Sequence, residues 1–192
     1  MANAFFAMLF RMKYINRWGI MHSVVPENLS THSMEVAVTA HALAIIGNTY
    51  FGMNYNCDRI TTKALYHDLP ETLTGDIPTP VKYFNKETKT AYDRVEQAAL
   101  KKFLDSLPSE LDVDYKSMFD YTPDEKKIIK AADKICAYIK CVEEERSGNK
   151  EFSVAKETLA KNISAQNCKE ADYFLEKFSA GFYLPIDTLI EE

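Results

Sequence analysis

Apolar residues recur along this chain mainly at helical spacing, and strict alternation of apolar and polar positions is scarce. From Ala4 to Tyr14 the residues Phe5, Phe6, Leu9 and Met12 mark one face. The apolar start Met1–Phe10 is followed, not preceded, by Arg11 and Lys13, so it reads as a core helix and not a secretory signal. Ser30 can cap a second helix running to about Ile46, with Gly47 behind it and Val36, Ala40, Leu43 and Ala44 on its apolar face. A third spans Asp58 to His67, with Ile60, Ala64 and Leu65 inward. The proline-rich stretch from Leu69 to Pro80 predicts a break and a long turn. A fourth helix covers residues 86–106, with Tyr92, Val95, Ala99 and Phe103 on one face. Thr122-Pro-Asp-Glu125 carries the cap, the first-turn proline and the capping-box glutamate of a fifth, which runs to about Arg146. Phe152–Ile163 and Ala165–Phe178 give two more, and a short tail helix fits after Pro185. The expectation is an all-α fold of about seven helices, a single domain over residues 1–192, with no repeat and no linker.

Composition narrows the function classes. With 46% hydrophobic and 27% charged residues, the chain has the balance of a folded globule. Its 28 acidic and 23 basic residues give a net charge of −5, which argues against a nucleic-acid polymer as partner. No apolar run approaches the roughly 18–20 residues that a membrane span needs, so no membrane partner is expected. The four cysteines, Cys57, Cys136, Cys141 and Cys168, show no C-x-x-C spacing and read as reduced, mostly buried thiols, as in a cytoplasmic protein.

The sharpest chemical signal is the adjacent pair His67-Asp68, with His32 upstream and Asp133 downstream. Two imidazoles and two carboxylates are a donor set that a divalent transition metal accepts, and four protein ligands leave positions open for water or a phosphate oxygen. Asp133 sits among Ile129, Cys136 and the stripe Ile128, Ala132, Ile135 and Ile139, where a carboxylate is at least partly buried. Spacing alone leaves alternatives open. Asp133 could pair with Lys134 or Arg17 or lie exposed at the stripe's edge, and His32 could cap its helix or face solvent. His22 and His41 have no such context and read as ordinary histidines.

The set His32, His67-Asp68 and Asp133 resembles the metal-binding pattern of the HD-domain phosphohydrolase superfamily. More specifically, Asn16-Arg-Trp18, the long motif from His67 to Asn85, and Ala131-Ala-Asp-Lys-Ile-Cys-Ala-Tyr-Ile-Lys-Cys141 resemble the bacterial 5′-deoxynucleotidases of the YfbR type. The resemblance covers nearly the whole chain. Pro70, inside the H-D-x-x-E segment, departs from the pattern but suits the first position of a new helix.

The resemblance implies an HD-domain helical bundle that hydrolyses 2′-deoxyribonucleoside 5′-monophosphates, with His32, His67, Asp68 and Asp133 holding a divalent cation such as Co²⁺, Mn²⁺ or another transition metal. It implies Glu71 as the group that orients or deprotonates the attacking water. It makes Arg17 the phosphate-orienting residue, with Trp18 packed beside C2′ of the sugar. Asp76, Ile77, Pro78 and Thr79 would form the nucleotide-contacting loop, with Asp68 and Asp133 also near the substrate and Lys82 further out. A homodimer is implied as well. Another HD-type nucleotide phosphohydrolase, or a non-catalytic nucleotide sensor, is the competing expectation. The scattered basic residues and one evident phosphate arginine favour a monophosphate, and retention of Glu71 favours an enzyme.

Overall fold

A computed structural model describes residues 3–190; Met1 and Ala2, the start of the expected first helix, lie outside the described residues, as do the last two of the chain. Among the described residues there are eleven α-helices, three 3₁₀ segments and one isolated antiparallel bridge. The helices are α1 Phe5–Leu9, α2 Leu29–Tyr50, α3 Cys57–Leu65, α4 Glu71–Thr74, α5 Thr79–Lys82, α6 Lys86–Leu104, α7 Ser109–Ser117, α8 Pro123–Arg146, α9 Ser153–Ser164, α10 Lys169–Phe178 and α11 Ile186–Ile190.

The all-α expectation holds, and the extra helices have physical reasons. The proline-rich stretch folds into the single-turn helices α4 and α5, separated by Gly75 at φ 76°. In α7, Leu111, Val113 and Tyr115 alternate with Asp112 and Asp114, which mimics a strand in sequence. Glu110 and Asp112 in its first turn and Lys116 in its last complement the helix dipole instead. α11 is the expected tail helix. The first predicted helix splits into α1 and a 3₁₀ segment, Phe10–Tyr14.

Caps differ in one place. α2 starts at Leu29, where the Asn28 side chain accepts the amides of Ser30 and Thr31 at 3.0 and 3.1 Å, so Asn28 and not Ser30 is the cap. The helix also passes through Gly47 to Tyr50. In α8 the capping box of Thr122 and Glu125 is complete, as the sequence predicts.

The chain forms two compact units. The first comprises 3–22, Pro26–Met34 and Leu65–Tyr121; the second comprises Ser23–Val25, Glu35–Ala64 and 122–190. The core of the first unit is Phe5, Met12, Leu29, Leu69 and Phe103, with Tyr66, Leu107, Tyr115 and Phe119 packed around them. Phe5 meets Phe103 and Tyr115 edge-on, at centroid distances of 5.8 and 4.8 Å. Fully burying a side chain of this kind stabilises by about 1.5–3 kcal/mol. Leu29 and Leu69 in that core fix the start of α2 and the turn after α3, the two places that carry His32, His67 and Asp68. Of the residues expected inward, Phe6, Leu65 and Val95 are exposed instead.

In the second unit α8 packs against α9 and α10. Val36, Ala40, Leu43 and Ala44 of α2 are fully buried there, as their spacing predicts. Among the described residues, the buried lysines inside it are paired. Lys63 donates to Glu125 at 2.6 Å, and Lys140 pairs with Glu144, whose other contacts are the amides of Val24 and Val25 and the side chain of Asn149. All four cysteines are reduced, three of them buried.

Candidate metal and nucleotide site

Arg17, Trp18, Glu27, His32, His67, Asp68, Glu71 and Asp76 all lie in the first unit. Residues 15–17 run antiparallel to 27–29: the amide of Arg17 donates to the carbonyl of Glu27 and that of Leu29 to Ile15, both at 3.0 Å, with a bridge at Asn16 and Asn28. This pairing sets Arg17 opposite Glu27 immediately before α2, whose first turn carries His32. After α3 the chain turns through Tyr66–Glu71, with amides of Leu69 and Glu71 bonded to carbonyls of Tyr66 and Asp68 at 3.0 Å. That turn presents His67, Asp68 and Glu71.

His32, His67 and Asp68 offer ligand atoms that all lie within 4.8 Å of one another. The Asp68 Oδ2 atom is 3.1 Å from His67 Nε2, 3.6 Å from His32 Nε2 and 3.3 Å from Arg17 Nη1. The two imidazole centroids are 5.5 Å apart. Two nitrogen donors and a carboxylate so arranged fit a divalent transition cation. Beside them, one carboxylate oxygen of Glu71, Oε2, is buried without a hydrogen-bond partner among the described residues.

The electrostatics separate the two carboxyls. Burial raises the pKa of Asp68, but the imidazoles of His67 and His32 and the Arg17 guanidinium outweigh it and hold Asp68 well below the usual carboxylate range. Burial, then the charges of Asp68 and Asp76, push Glu71 up to about 9, which Arg17 and Lys82 only partly oppose. A group whose proton affinity lies far above that of its neighbour is what acid–base chemistry requires.

Glu27, which the sequence pattern did not single out, stands at the centre of the polar contacts. Its Oε2 accepts the Trp18 indole N–H at 2.6 Å and Arg17 Nε at 3.2 Å, and its Oε1 is 3.4 Å from His32 Nδ1. Burial would raise its pKa, but His32, Arg17 and Trp18 together lower it. The one sequence signal for it was its place between two site segments, five residues before His32.

Trp18 stands at φ 60°, one of two described non-glycine residues at positive φ. The left-handed region costs a residue with a Cβ about 1–2 kcal/mol. Three contacts hold Trp18 there: its amide donates to Asp76 Oδ2 at 3.1 Å, its carbonyl accepts the Met21 amide at 2.8 Å, and its indole is bound by Glu27. Backbone strain of this kind persists where surrounding contacts over-determine it, and it concentrates at functional sites.

The other expected site residues divide. Asp76, Ile77 and Pro78 are half-buried and Thr79, the first residue of α5, is exposed. Lys82 donates to Glu96 at 2.5 Å, so its charge already has a partner on α6. Asp133 lies on α8, half-buried, in the second unit. His22 and His41 are outside the ligand group.

The family described as 5′-deoxynucleotidase YfbR-like matches residues 4–182. A protein of Photorhabdus temperata named 5′-deoxynucleotidase is 47% identical over 188 residues, covering 96% of this chain and 95% of that one. One from Shigella boydii with the same designation is 46% identical over 191 residues, covering 98% and 96%. Among solved structures, an HD-domain phosphohydrolase of Listeria innocua superposes with a TM-score of 0.79 at 26% identity, over 93% of this chain and 87% of that one. A cyanophage S-2L HD phosphohydrolase, bound to dA and one catalytic Zn²⁺, shares the fold with a TM-score of 0.66 at 19% identity, over 92% and 95% of the two chains.

Proposed function

The chain belongs to the YfbR-like family of 5′-deoxynucleotidases, phosphoric monoester hydrolases, and from that premise we propose that it hydrolyses 2′-deoxyribonucleoside 5′-monophosphates with a divalent cation held by His32, His67, Asp68 and Asp133. The observation that carries this reading is the convergence of His32, His67 and Asp68 within 4.8 Å, with Arg17 on the same Asp68 oxygen. The place of Asp133 as fourth ligand rests on the sequence pattern. The residues 1–192 act as one phosphohydrolase domain in this reading, which the family match over residues 4–182 supports.

When bound, a divalent cation supplies Lewis-acid polarisation of a phosphoryl oxygen and makes a water more acidic. The chain's own residues do the rest. Arg17 presents a guanidinium, a fork of donors suited to phosphate oxygens, beside Asp68. Glu71 orients the attacking water or receives its proton; burial, Asp68 and Asp76 raise its proton affinity. Trp18 and Asp76, already bonded to one another, meet the sugar, Trp18 at C2′ and Asp76 at the 3′-hydroxyl, with Ile77, Pro78 and Thr79 completing the loop. Lys82, paired with Glu96, adds positive charge to this edge and not a direct contact.

Mixed nitrogen and oxygen donors admit Co²⁺, Mn²⁺ or another transition metal such as Zn²⁺. A cytoplasmic homodimer belongs to the same proposal; among the described residues no helix is long and apolar enough to cross a membrane. The test is phosphate release from a panel of deoxy- and ribonucleoside monophosphates by metal-stripped protein, with each cation added back. Metal-dependent release with deoxynucleotides preferred supports the reading, and release independent of metal overturns it.

A further inference from the structure

We propose that Glu27 is a positioning residue that couples the metal site to sugar selection: one buried carboxylate aligns Trp18 and Arg17 for the nucleotide while it orients the imidazole of His32. The inference rests on the reading of His32 as a ligand given above.

Three nitrogens converge on this side chain. The indole Nε1 of Trp18 is 2.6 Å from Oε2, Arg17 Nε is 3.2 Å from the same oxygen, and His32 Nδ1 is 3.4 Å from Oε1. Each belongs to a residue with an expected role at the site. Glu27 is only 7% exposed, and its backbone is paired to Arg17, so the carboxylate is delivered by the same strand-like contact that places the arginine.

The orientation of His32 follows. With Nδ1 facing Glu27 and Nε2 facing Asp68, the carboxylate favours the tautomer protonated at Nδ1 and leaves the Nε2 lone pair toward the ligand group. Outer carboxylates that bind the far nitrogen of a ligating histidine fix its tautomer and raise its basicity. Here the same carboxylate also holds the indole, so a change in His32 on metal binding reaches Trp18 through one side chain. A glutamine at this position has the right shape but the wrong chemistry: a carboxylate can accept from all three nitrogens, whereas an amide must turn its NH₂ toward one of them.

Trp18 is the only tryptophan, so its indole N–H gives a single resonance that reports this contact. The experiment titrates stripped full-length protein with Zn²⁺, which neither quenches nor broadens that signal, and measures Zn²⁺ affinity by chelator competition. In the unmodified protein the indole N–H resonance should move as Zn²⁺ saturates the site. In Glu27→Gln, Zn²⁺ affinity should fall by about 10–100-fold, the indole should stop responding, and the deoxy-to-ribo ratio of kcat/KM should drop; Glu27→Asp should recover part of each. Unchanged Zn²⁺ affinity and sugar ratio in a folded Glu27→Gln overturn the inference. If that variant does not fold, the unmodified protein decides: an indole signal that stays still at full Zn²⁺ occupancy overturns it alone. A protein that binds neither Zn²⁺ nor Mn²⁺ overturns the metal reading first, and this inference with it.

Discussion

The Trp18 amide donates to Asp76 Oδ2 across 3.1 Å, although the two residues are 58 positions apart in the chain. The bond fastens the loop after Gly75 to a tryptophan whose backbone is in the left-handed region. Asp76 is therefore both a sugar contact in the proposed reaction and the clamp on the residue that would shape the sugar pocket. Its second oxygen leaves it able to do both.

Asp76→Ala should lower kcat/KM for deoxynucleotides by about 10–100-fold, the equivalent of the 1.5–3 kcal/mol of a hydrogen bond to a charged group. It should also weaken sugar discrimination, because the strained Trp18 loses one of its anchors. Steady-state kinetics on a matched deoxy and ribo pair measure both, and wild-type values for both would assign Asp76 to the turn alone.

Chelator should abolish phosphate release, and added Mn²⁺ or Co²⁺ should restore it. His67→Ala and Asp68→Ala should each reduce bound metal measured by elemental analysis. Asp133→Ala should do the same; a variant of Asp133 that keeps full metal affinity would remove that residue from the ligand set and leave the other three.

Glu71→Gln should keep metal and substrate affinity while kcat falls about 10²–10⁴-fold, the usual contribution of a positioned proton acceptor. In the metal-free protein burial, Asp68 and Asp76 disfavour ionisation of this carboxyl, so it should titrate above the ordinary carboxylate range, and Asp76→Asn, which removes one of the two charges, should move that titration to lower pH. A carboxyl signal that titrates in the ordinary range, or one that Asp76→Asn leaves in place, would refute this electrostatic coupling.

The sequence made His67-Asp68 and His32 legible because chemistry restricts which side chains can stand there. The structure brings those three together as expected. Glu27 was not legible: it sits in an irregular Pro26-Glu-Asn segment with no periodicity, and only the pairing of residues 15–17 with 27–29 shows what it faces. The same irregularity hid the true cap of α2, Asn28. α7 was missed because its alternation of Leu111, Val113 and Tyr115 imitates a strand while only Tyr115 reaches the core. Lys82 was legible only as a charge that suggested phosphate; its partner Glu96 was not.

In the second unit, Glu144 links Lys140, Asn149 and the amides of Val24 and Val25. Burial opposes its charge, but these donors outweigh burial and bring its pKa down to about 2. A carboxyl depressed in the folded state adds stability above its unfolded pKa, and that stability is lost as pH falls from about 5 toward 2. Glu144→Gln also strands the buried Lys140 ammonium, so a loss of about 3 kcal/mol at pH 7 is expected. Thermal unfolding across pH should show a lower and flatter profile on the acid side in the variant, and superimposable profiles would refute the network's role.

The last prediction concerns the sugar. Arg17 and Trp18 are adjacent, and Glu27 fixes the guanidinium and the indole through one oxygen. If Arg17 grips the phosphate, the distance from phosphate to C2′ is set by the nucleotide itself, and an immobile indole there leaves no room for an added hydroxyl. A clash, or a desolvated hydroxyl without a partner, then rejects the ribonucleotide, and the gate works only because Trp18 cannot swing aside. Flexible pockets discriminate poorly against one extra group, whereas a rigid wall need not. Trp18→Ala should therefore raise kcat/KM for AMP relative to dAMP, chiefly by admitting the ribonucleotide. Trp18→Phe keeps an aromatic ring but loses the bond to Glu27, so it should be intermediate, with part of the bulk and less of the rigidity. Equal hydrolysis of AMP and dAMP by the unmodified protein would refute the gate. A ratio preserved in Trp18→Ala but lost in Asp76→Ala would move the selectivity to the loop after Gly75.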